Sequence, residues 1–381
     1  MKKRWHLVGL VVLALILAAC APKSAPVSAP PIAAPQAVVP VPAPAGPARS
    51  PEDIAWQKVV EAARREGRLT IYDGGVLGGD AALAVGNAFA DTYGIKIDYI
   101  SGVGADVVER LKVERRMGGM VGSVHVNSST HVLITKQEGL TVPLLVLPEL
   151  KKEGMWEIHP STQDPAGHAL TIAVGYHLPW LNTKLIRQEE YPRKYQDLLN
   201  PRWRDGKIVA TDPAVNSGNY LSFVPLLNAK ALDMGFIAAL GKQNLLLDSS
   251  SPRAMQLISR GDAPILLSGP TSQGNRFVQE GAPILPWAME EGTAATTTPI
   301  AVIEGAPQPN SARLFVNWLL TAEGQGVINR ARLTRPIRKD VPDSSPVVVN
   351  VRRVLVPTLA DLDQMTVMFK DRAFVDLWKK K

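Results

Sequence analysis

The chain has 381 residues, of which 46% are hydrophobic and 20% charged, so its length and composition suit two globular domains or one large two-lobed body. The formal net charge of +7 is spread along the chain, without the concentrated basic stripe and interleaved aromatics of a nucleic-acid-binding protein. Cys20 is the one cysteine, which excludes a disulfide within the chain and a cluster of thiolate metal ligands.

The start of the chain has the pattern of a cleaved export signal. Residues 2–4 form a basic head, and the uncharged apolar run over residues 7–19 is shorter than the roughly 20 residues that a helix needs to span a bilayer. The run ends in LAAC at residues 17–20, which resembles the lipobox of bacterial lipoproteins. That resemblance implies a signal peptide over residues 1–19 and acylation of Cys20. An ordinary signal peptide with a chance cysteine and an uncleaved signal anchor are the alternatives.

A linker is predicted to follow Cys20 and to end at residue 50. Residues 22–50 contain nine prolines, mixed mainly with alanine, valine and serine. Proline fixes φ and removes an amide donor, so this composition favours extended polyproline II and does not form a packed core. At about 3.1 Å per residue the linker could reach on the order of 90 Å. We interpret it as a spacer between lipid and folded body; disorder without a spacing role is the alternative.

The folded body is predicted to begin with a helix and a βαβ unit. Ser50 is an expected N-cap with Pro51 in the first helical position, and Gly67 is expected to end the helix. A strand over 69–72, a helix over 80–93 and a strand over 95–99 follow. This order predicts a parallel sheet with a right-handed crossover.

A second series of strands and helices predicts another α/β unit, so we expect two α/β lobes. Its expected elements are strands at 170–174 and 207–210, a helix over 220–240, a helix from Ser251 that Gly261 closes, a strand at 263–268, and an amphipathic helix that Asn310 caps.

The sequence holds no recognisable catalytic signature. A nucleophile elbow, a Walker loop and a zinc-binding His-Glu-x-x-His motif are all missing. The histidines of the body do not share a helical face or have carboxylates at ligand spacing, so we predict no catalytic residue, no metal site and no cofactor. These histidines are His125, His131, His159, His168 and His177.

Small polar residues follow several predicted strands, where ligands bind in open α/β sheets. The glycine-rich turn over residues 73–79 opens a helix, so its backbone N–H groups could hold an anion. Ordinary helix caps and tight turns are the alternative explanation for these residues, and a surface position is the alternative for the arginine. The predicted ligand-binding residues are Gly74, Gly75, Ser101, Ser128, Ser129, Asn216, Ser217, Ser268, Thr271 and Arg276.

Several longer segments resemble the lipid-anchored solute-binding proteins of ABC importers, in the branch that includes the ferric-iron binders. The resemblance implies a two-lobed α/β fold of the periplasmic-binding-protein type (type II-like), with the ligand cleft between the lobes. It implies a first lobe of residues 51–150 and 285–325 and a second of 151–284 and 326–381. The segments are WQKVVEAARREGRLTIY (56–72), ADVVERLKVER (105–115), LNTKL (181–185), YQDLLNPRWRDGKIVATDP (195–213) and GAPQPNSARLFVNWLLTAEGQ (305–325).

The chain departs from the ferric binders at one informative place. Those proteins resemble one another in an adjacent tyrosine pair near the strand that here ends at Ser268, whereas this chain has SGPTS at 268–272. Ferric iron prefers phenolate and carboxylate oxygens, for which neutral hydroxyls are poor substitutes. Hydroxyls, backbone N–H groups and Arg276 instead suit a small carboxylate, phosphonate or phosphate ester.

The sequence therefore predicts an extracytoplasmic lipoprotein that captures a small solute and delivers it to an ABC permease, without catalysis. Its expected partners are the solute, the permease and the bilayer through Cys20. We expect a monomer that does not bind nucleic acid. An extracytoplasmic enzyme on the same scaffold and a ligand-sensing partner of a membrane receptor are the alternatives.

Overall fold

The structure, a computed structural model, describes residues 50–347 and 351–379. The predictions on the signal peptide, on Cys20 and on the linker up to residue 49 lie outside the described residues. Within the described part of the chain, no helix combines the length and the apolar character needed to cross a membrane.

The described residues form a mixture of helices and strands. The helices are α1 (Pro51–Glu66), α2 (Gly79–Tyr93), α3 (Gly104–Arg116), α4 (Ser129–Gln137), α5 (Gly218–Asn228), α6 (Met234–Gly241), α7 (Ser251–Arg260), α8 (Thr271–Gln279), α9 (Pro309–Leu319), α10 (Ala322–Arg332), α11 (Leu359–Lys370) and α12 (Val375–Trp378). The strands are β1 (Arg68–Asp73), β2 (Lys96–Ser101), β3 (Val124–Val126), β4 (Thr141–Val142), β5 (Leu170–Asn182), β6 (Ile208–Thr211), β7 (Leu246–Asp248), β8 (Ile265–Pro270), β9 (Ile284–Pro286), β10 (Thr293–Ile303) and β11 (Val354–Leu355). Short 3-10 helices lie at Pro148–Lys151, Gln188–Glu190, Tyr195–Leu199 and Pro201–Trp203.

One mixed sheet runs through the body, in the order β2-β1-β3-β10-β5-β8-β6-β7. Strand β1 pairs in parallel with β2 and β3, and β6 pairs in parallel with β7 and β8. Between these two parallel halves lie β5 and β10, which pair antiparallel with each other and with their neighbours β8 and β3. The order shows two parallel α/β halves joined by two antiparallel strands.

The two joining strands are the longest in the sheet. Strand β5 has 13 residues and β10 has 11, and both are buried along almost their whole length. Strand β5 pairs with β10 up to His177 and then with β8 up to Leu181. The register shifts between Thr298 and Pro299 in β10, where the proline supplies no N–H. Each strand therefore passes from one half of the molecule to the other.

The helix ends show which local expectations hold. The Ser50 hydroxyl accepts a hydrogen bond from the Asp53 N–H, and Gly67 ends α1 with φ of 66°, so both predicted caps are confirmed. The expected helix over 220–240 is wrong, because α5 ends at Asn228 and Asp233 starts α6 by accepting from the Phe236 N–H. The predicted cap Asn310 lies inside α9, and its side-chain amide donates to Glu66.

Candidate ligand-binding cleft

A cavity of about 440 Å³ lies where the two halves of the sheet meet. Residues 75–78, between β1 and α2, form one wall, and Arg332 at the end of α10 lines the same space. The other wall is formed by Pro252 of α7 and by Ser272, Gln273, Arg276, Phe277 and Glu280 of α8 and its C-cap. The cavity thus brings together the predicted ligand residues Gly75 and Arg276, which come from opposite halves.

A larger cavity of about 800 Å³ lies elsewhere, between α5, α6 and α11. Its walls include Leu227, Phe236 and Met368, and none of the predicted ligand residues lines it. Because its walls come from the second half and from α11, closure of the two halves would not enclose a ligand there. The smaller cavity at the strand ends is therefore the better candidate for solute capture.

The glycine-rich turn is held by a buried carboxylate at its start. Asp73 is 1% exposed, and its Oδ1 accepts from the N–H groups of Val76 and Leu77 at 2.8 and 3.2 Å. Gly75 has φ of 80°, which favours glycine, and a Cβ at Gly74 would collide with the side chain of Asn127. Two of the amides that the sequence analysis offered to an anion are therefore already occupied by the chain itself.

Arg332 is a largely buried cation in the last turn of α10. Its Nη1 donates to the Thr298 hydroxyl, and none of the ion pairs within residues 50–347 and 351–379 includes it. Burial lowers the pKa of Arg332 to about 10, and the negative charge of Asp73 acts in the opposite direction. Helix α10 packs on α2, so this guanidinium is held on the wall that carries the glycine-rich turn. A desolvated guanidinium without a carboxylate partner is a group to which a bound anion would be strongly attracted.

Arg276 supplies a second guanidinium from the facing wall. It lies in the last turn of α8 and is exposed, and its side chain has no hydrogen-bond or ion-pair partner among the described residues. A planar guanidinium can bind carboxylate or phosphate oxygens with two parallel hydrogen bonds. Arg276 and Arg332 together give the cavity two free positive groups, against the single carboxylate of Glu280 among its lining residues.

A second cluster of polar residues lies near His177 of β5. The predicted residue Ser268 lies 3.4 Å from His177 Nδ1 through its hydroxyl and also contacts the hydroxyl of Ser222. Burial lowers the pKa of His177 to about 4, so the imidazole is neutral at pH 7. The predicted residue Asn216 accepts from the Gly218 N–H at 2.8 Å. Ser217, the N-cap of α5, is exposed and makes no side-chain capping bond.

The remaining predicted residues have local partners. Ser128 contacts His131 Nδ1 at 2.8 Å, and Ser129 contacts the Thr297 hydroxyl of β10 at 2.9 Å. Thr271 accepts from the backbone N–H of residue 176 at 3.0 Å, while Ser101 is exposed at the end of β2. Of the predicted residues, Gly75 and Arg276 share the cavity, and Ser268 and Asn216 lie near His177. Gly74, Ser128 and Ser129 cluster with Asn127, His131 and Thr297.

The profile of the bacterial extracellular solute-binding protein family matches residues 69–331. This chain belongs to that family. A provisionally named 2-aminoethylphosphonate-binding periplasmic protein of Salmonella paratyphi A is 24% identical to it over 275 residues, which is 68% of this chain and 74% of the relative. A protein of the same name from Salmonella typhimurium is 25% identical over 271 residues, with the same coverage of 68% and 74%.

Several solved structures share the fold of this chain. Iron-bound HitA of Pseudomonas aeruginosa has a TM-score of 0.63 at 20% identity, covering 80% of this chain and 98% of HitA. A Trichodesmium protein in complex with iron and citrate has a TM-score of 0.66 at 16% identity, covering 82% and 100%. AfuA of Actinobacillus pleuropneumoniae, with fructose-6-phosphate bound, has a TM-score of 0.59 at 18% identity. The match covers 82% of this chain and 98% of AfuA. The chain is thus an extracytoplasmic solute-binding protein with the two-lobed, type II-like α/β fold and its cleft between the lobes.

Three residues near the predicted ligand residues of this solute-binding protein have no distinctive signal in the sequence: Arg332, His177 and Thr297. Arg332 was overlooked because basic residues are favoured in the last turn of any helix, so its position there is not distinctive. His177 and Thr297 lie in the joining strands, whose role emerges only from the sheet order. Among the described residues, no group of three or more histidine, cysteine, aspartate or glutamate side chains is arranged to hold a metal ion.

Proposed function

We propose that this solute-binding protein captures a small anion with a phosphonate or phosphate head group in the cavity between its lobes. The pair of free guanidinium groups, Arg332 and Arg276, is the observation that carries the proposal. Helix α10 packs on α2 of the first half, whereas α8 packs on β8 and α7 of the second. An anion held between the two arginines would contact both lobes only in the closed form and would therefore stabilise it.

The sequence relatives and the residues of the cavity support a phosphorus-containing head group, although structures of similar fold hold either iron or a sugar phosphate. The Salmonella relatives carry 2-aminoethylphosphonate in their names, and the similar AfuA structure has fructose-6-phosphate bound. Phosphonate and phosphate oxygens fit the two-pronged donor geometry of arginine. The same two cations would repel a bare trivalent iron. Where the ferric binders have their tyrosine pair, this chain has SGPTS at residues 268–272.

The lobe boundaries proposed from the sequence are best moved into the two joining strands. The Leu144 N–H donates to the Gly167 carbonyl, and Lys136 of α4 pairs with Asp164, so the segment before β5 packs with the first lobe. Helix α10, which the boundary at residue 325 would divide, packs on α2. We therefore propose that lobe exchange occurs within β5 and β10, with α11 and α12 packed mainly on the second lobe.

We further propose that acylated Cys20 tethers a monomeric body to the membrane and that the closed form delivers its solute to an ABC permease. Membership of the solute-binding family supports capture over turnover. An extracytoplasmic enzyme would instead convert a substrate, and a sensing partner would bind its solute without transport. Replacement of Cys20 by serine should move the protein from the detergent phase to the aqueous phase in Triton X-114 partitioning. Unchanged partitioning into detergent would argue for a signal anchor.

Isothermal titration calorimetry on the purified body tests the ligand class. We expect heat of binding with 2-aminoethylphosphonate or with inorganic phosphate, and none with ferric citrate. The Arg276→Gln variant should bind about tenfold to a hundredfold more weakly, because it loses a charge-assisted hydrogen-bond donor. Arg116→Gln, an exposed arginine at the end of α3, is the matched control and should bind as the wild type does. Tight binding of ferric citrate without any phosphorus anion would contradict the proposal.

A further inference from the structure

Asp73 lies behind the cavity wall on which the proposed function depends, the wall formed by the glycine-rich turn and Arg332. It is the last residue of β1 and is 1% exposed. Its Oδ1 accepts from the Val76 and Leu77 N–H groups at 2.8 and 3.2 Å, and both of these residues line the cavity. The side chain therefore fixes the shape of the wall without itself lining the cavity.

Asp73 is also the carboxylate that acts on Arg332. Arg332 has a threonine hydroxyl as its hydrogen-bond partner, and the opposing charge that raises its pKa against burial is that of Asp73. The two charged groups do not form an ion pair at contact distance within the described ranges 50–347 and 351–379. The Asp73 carboxylate bonds to two residues that line the same cavity as Arg332, so its negative charge lies at the wall of that cavity.

We propose that Asp73 is a positioning residue with two separable roles, one as the clamp of the glycine-rich turn and one as the built-in counter-charge of Arg332. This inference rests on the proposed function, since it assigns Arg332 to the bound anion. As counter-charge, Asp73 lowers the positive potential that an anion meets and so keeps binding weak enough for release. As clamp, it keeps the backbone of residues 74–77 in the conformation that shapes the wall.

The two roles make different predictions for two substitutions. Asp73→Asn keeps an oxygen that can accept from Val76 and Leu77 but removes the charge, whereas Asp73→Ala removes both. The interaction of a ligand with a fixed charge is proportional to the ligand's own charge. Removal of the counter-charge should therefore strengthen the binding of a doubly charged head group about twice as much, in logarithm, as that of a singly charged one.

The probes are 2-aminoethylphosphonate and 2-aminoethanesulfonate, which have the same shape but differ by one negative charge above pH 7. We expect Asp73→Asn to bind the phosphonate about tenfold and the sulfonate about threefold more tightly than the wild type in calorimetric titrations at pH 8. Asp91→Asn, an exposed acid near the far end of α2, is the matched charge control and should change neither affinity. Equal changes for both probes, or no change, in Asp73→Asn would overturn the counter-charge role.

Amide hydrogen exchange of the ligand-free protein tests the clamp separately. The amides of Val76 and Leu77 should stay protected in Asp73→Asn and become at least about tenfold less protected in Asp73→Ala, because their acceptor is lost. Unchanged protection in Asp73→Ala would overturn the clamp role. If Asp73→Ala does not fold, the asparagine variant decides the outcome, since loss of protection there contradicts the clamp. Failure of the wild type to bind either probe would refute the proposed function, while the exchange data would still decide the clamp.

Discussion

Two arginines, one in the last turn of α10 and one six residues further along the chain, have opposite surroundings. Arg338 is 5% exposed and contacts Glu149 at 2.8 Å, Asp340 at 2.7 Å and the Leu320 carbonyl at 3.0 Å, with its guanidinium 5.3 Å from the centre of the Trp156 ring. Arg332 donates to the Thr298 hydroxyl and faces the cavity. One guanidinium has its hydrogen-bonding capacity used by the fold, and the other keeps most of it free.

The two surroundings distinguish a charge that stabilises the fold, Arg338, from a charge that is available to bind a ligand, Arg332. A buried ion pair with satisfied hydrogen bonds fixes the chain around it, and removing one partner leaves the other unsolvated. A buried cation without a carboxylate partner is instead costly for the folded protein and gains its partner when an anion binds. On this account Arg338 should determine stability and Arg332 should determine affinity.

The largest expected effect is a loss of protein stability when Arg338 is replaced. Arg338→Met should lower the free energy of unfolding by about 3–5 kcal/mol, because it removes charge-assisted bonds to Glu149 and Asp340 and leaves the buried Glu149 with the half-exposed Lys152 as its cation. Urea denaturation followed by circular dichroism measures the change. The folded fraction should still bind its anion with wild-type affinity.

A double variant sharpens this result. Combining Arg338→Met with Glu149→Gln should recover part of the lost stability, because the buried carboxylate that has lost its guanidinium is then removed as well. Stability losses that simply add would show that the two residues do not act as a pair.

The next effect concerns a buried histidine of the first lobe. His125 is 0% exposed, and burial lowers its pKa to about 4 from a model-peptide value of about 6.5. Between these two pH values the unfolded chain takes up a proton that the folded state does not, so stability falls as the pH decreases. The loss from His125 should be on the order of 3 kcal/mol.

Denaturation at pH 7 and at pH 4 measures this loss, with His125→Asn as the comparison. The variant should show a smaller decrease between the two pH values than the wild type. An equal decrease would place the acid sensitivity elsewhere, and His177 of β5, whose pKa burial also lowers to about 4, would be the next residue to replace.

The smallest effect concerns a predicted ligand residue that has an internal partner. Ser129→Ala should lower stability by about 1 kcal/mol, because the Thr297 hydroxyl loses one of its contacts. Its effect on the affinity for the anion should be smaller than that of Arg276→Gln. A loss of affinity equal to that of Arg276→Gln would show that the solute lies against α4 and would move the site away from Arg332.

Local chemistry made much of the fold predictable from the sequence. The caps at Ser50 and Gly67 and the helix from Ser251 to Gly261 follow from short-range hydrogen bonding and from the left-handed backbone that glycine allows. The strand-end clusters could be predicted because parallel strands direct their carboxyl ends to one edge. The helix break after Asn228 was missed because two apolar helices in succession have the composition of one.

The site was less predictable because its key charges are recognised by what surrounds them. Arg332 and Arg338 look alike in the sequence, and only the packing of α10 on α2 and the position of Glu149 distinguish them. The role of Asp73 was likewise hidden, since an aspartate before a glycine-rich turn is common in any loop. Long-range contacts of this kind are not encoded in local spacing.

The most direct test of the account is the Arg332→Gln variant, measured for stability with and without ligand. We predict that the ligand-free variant unfolds within about 1 kcal/mol of the wild type, or is more stable, because a desolvated charge has been removed. The wild type should gain about 2.7 kcal/mol from 2-aminoethylphosphonate at a hundred times its dissociation constant, and the variant should lose most of that gain at the same ligand concentration. A variant that is destabilised by more than about 3 kcal/mol without ligand, yet keeps the full gain with it, would show that Arg332 serves the fold and not the solute.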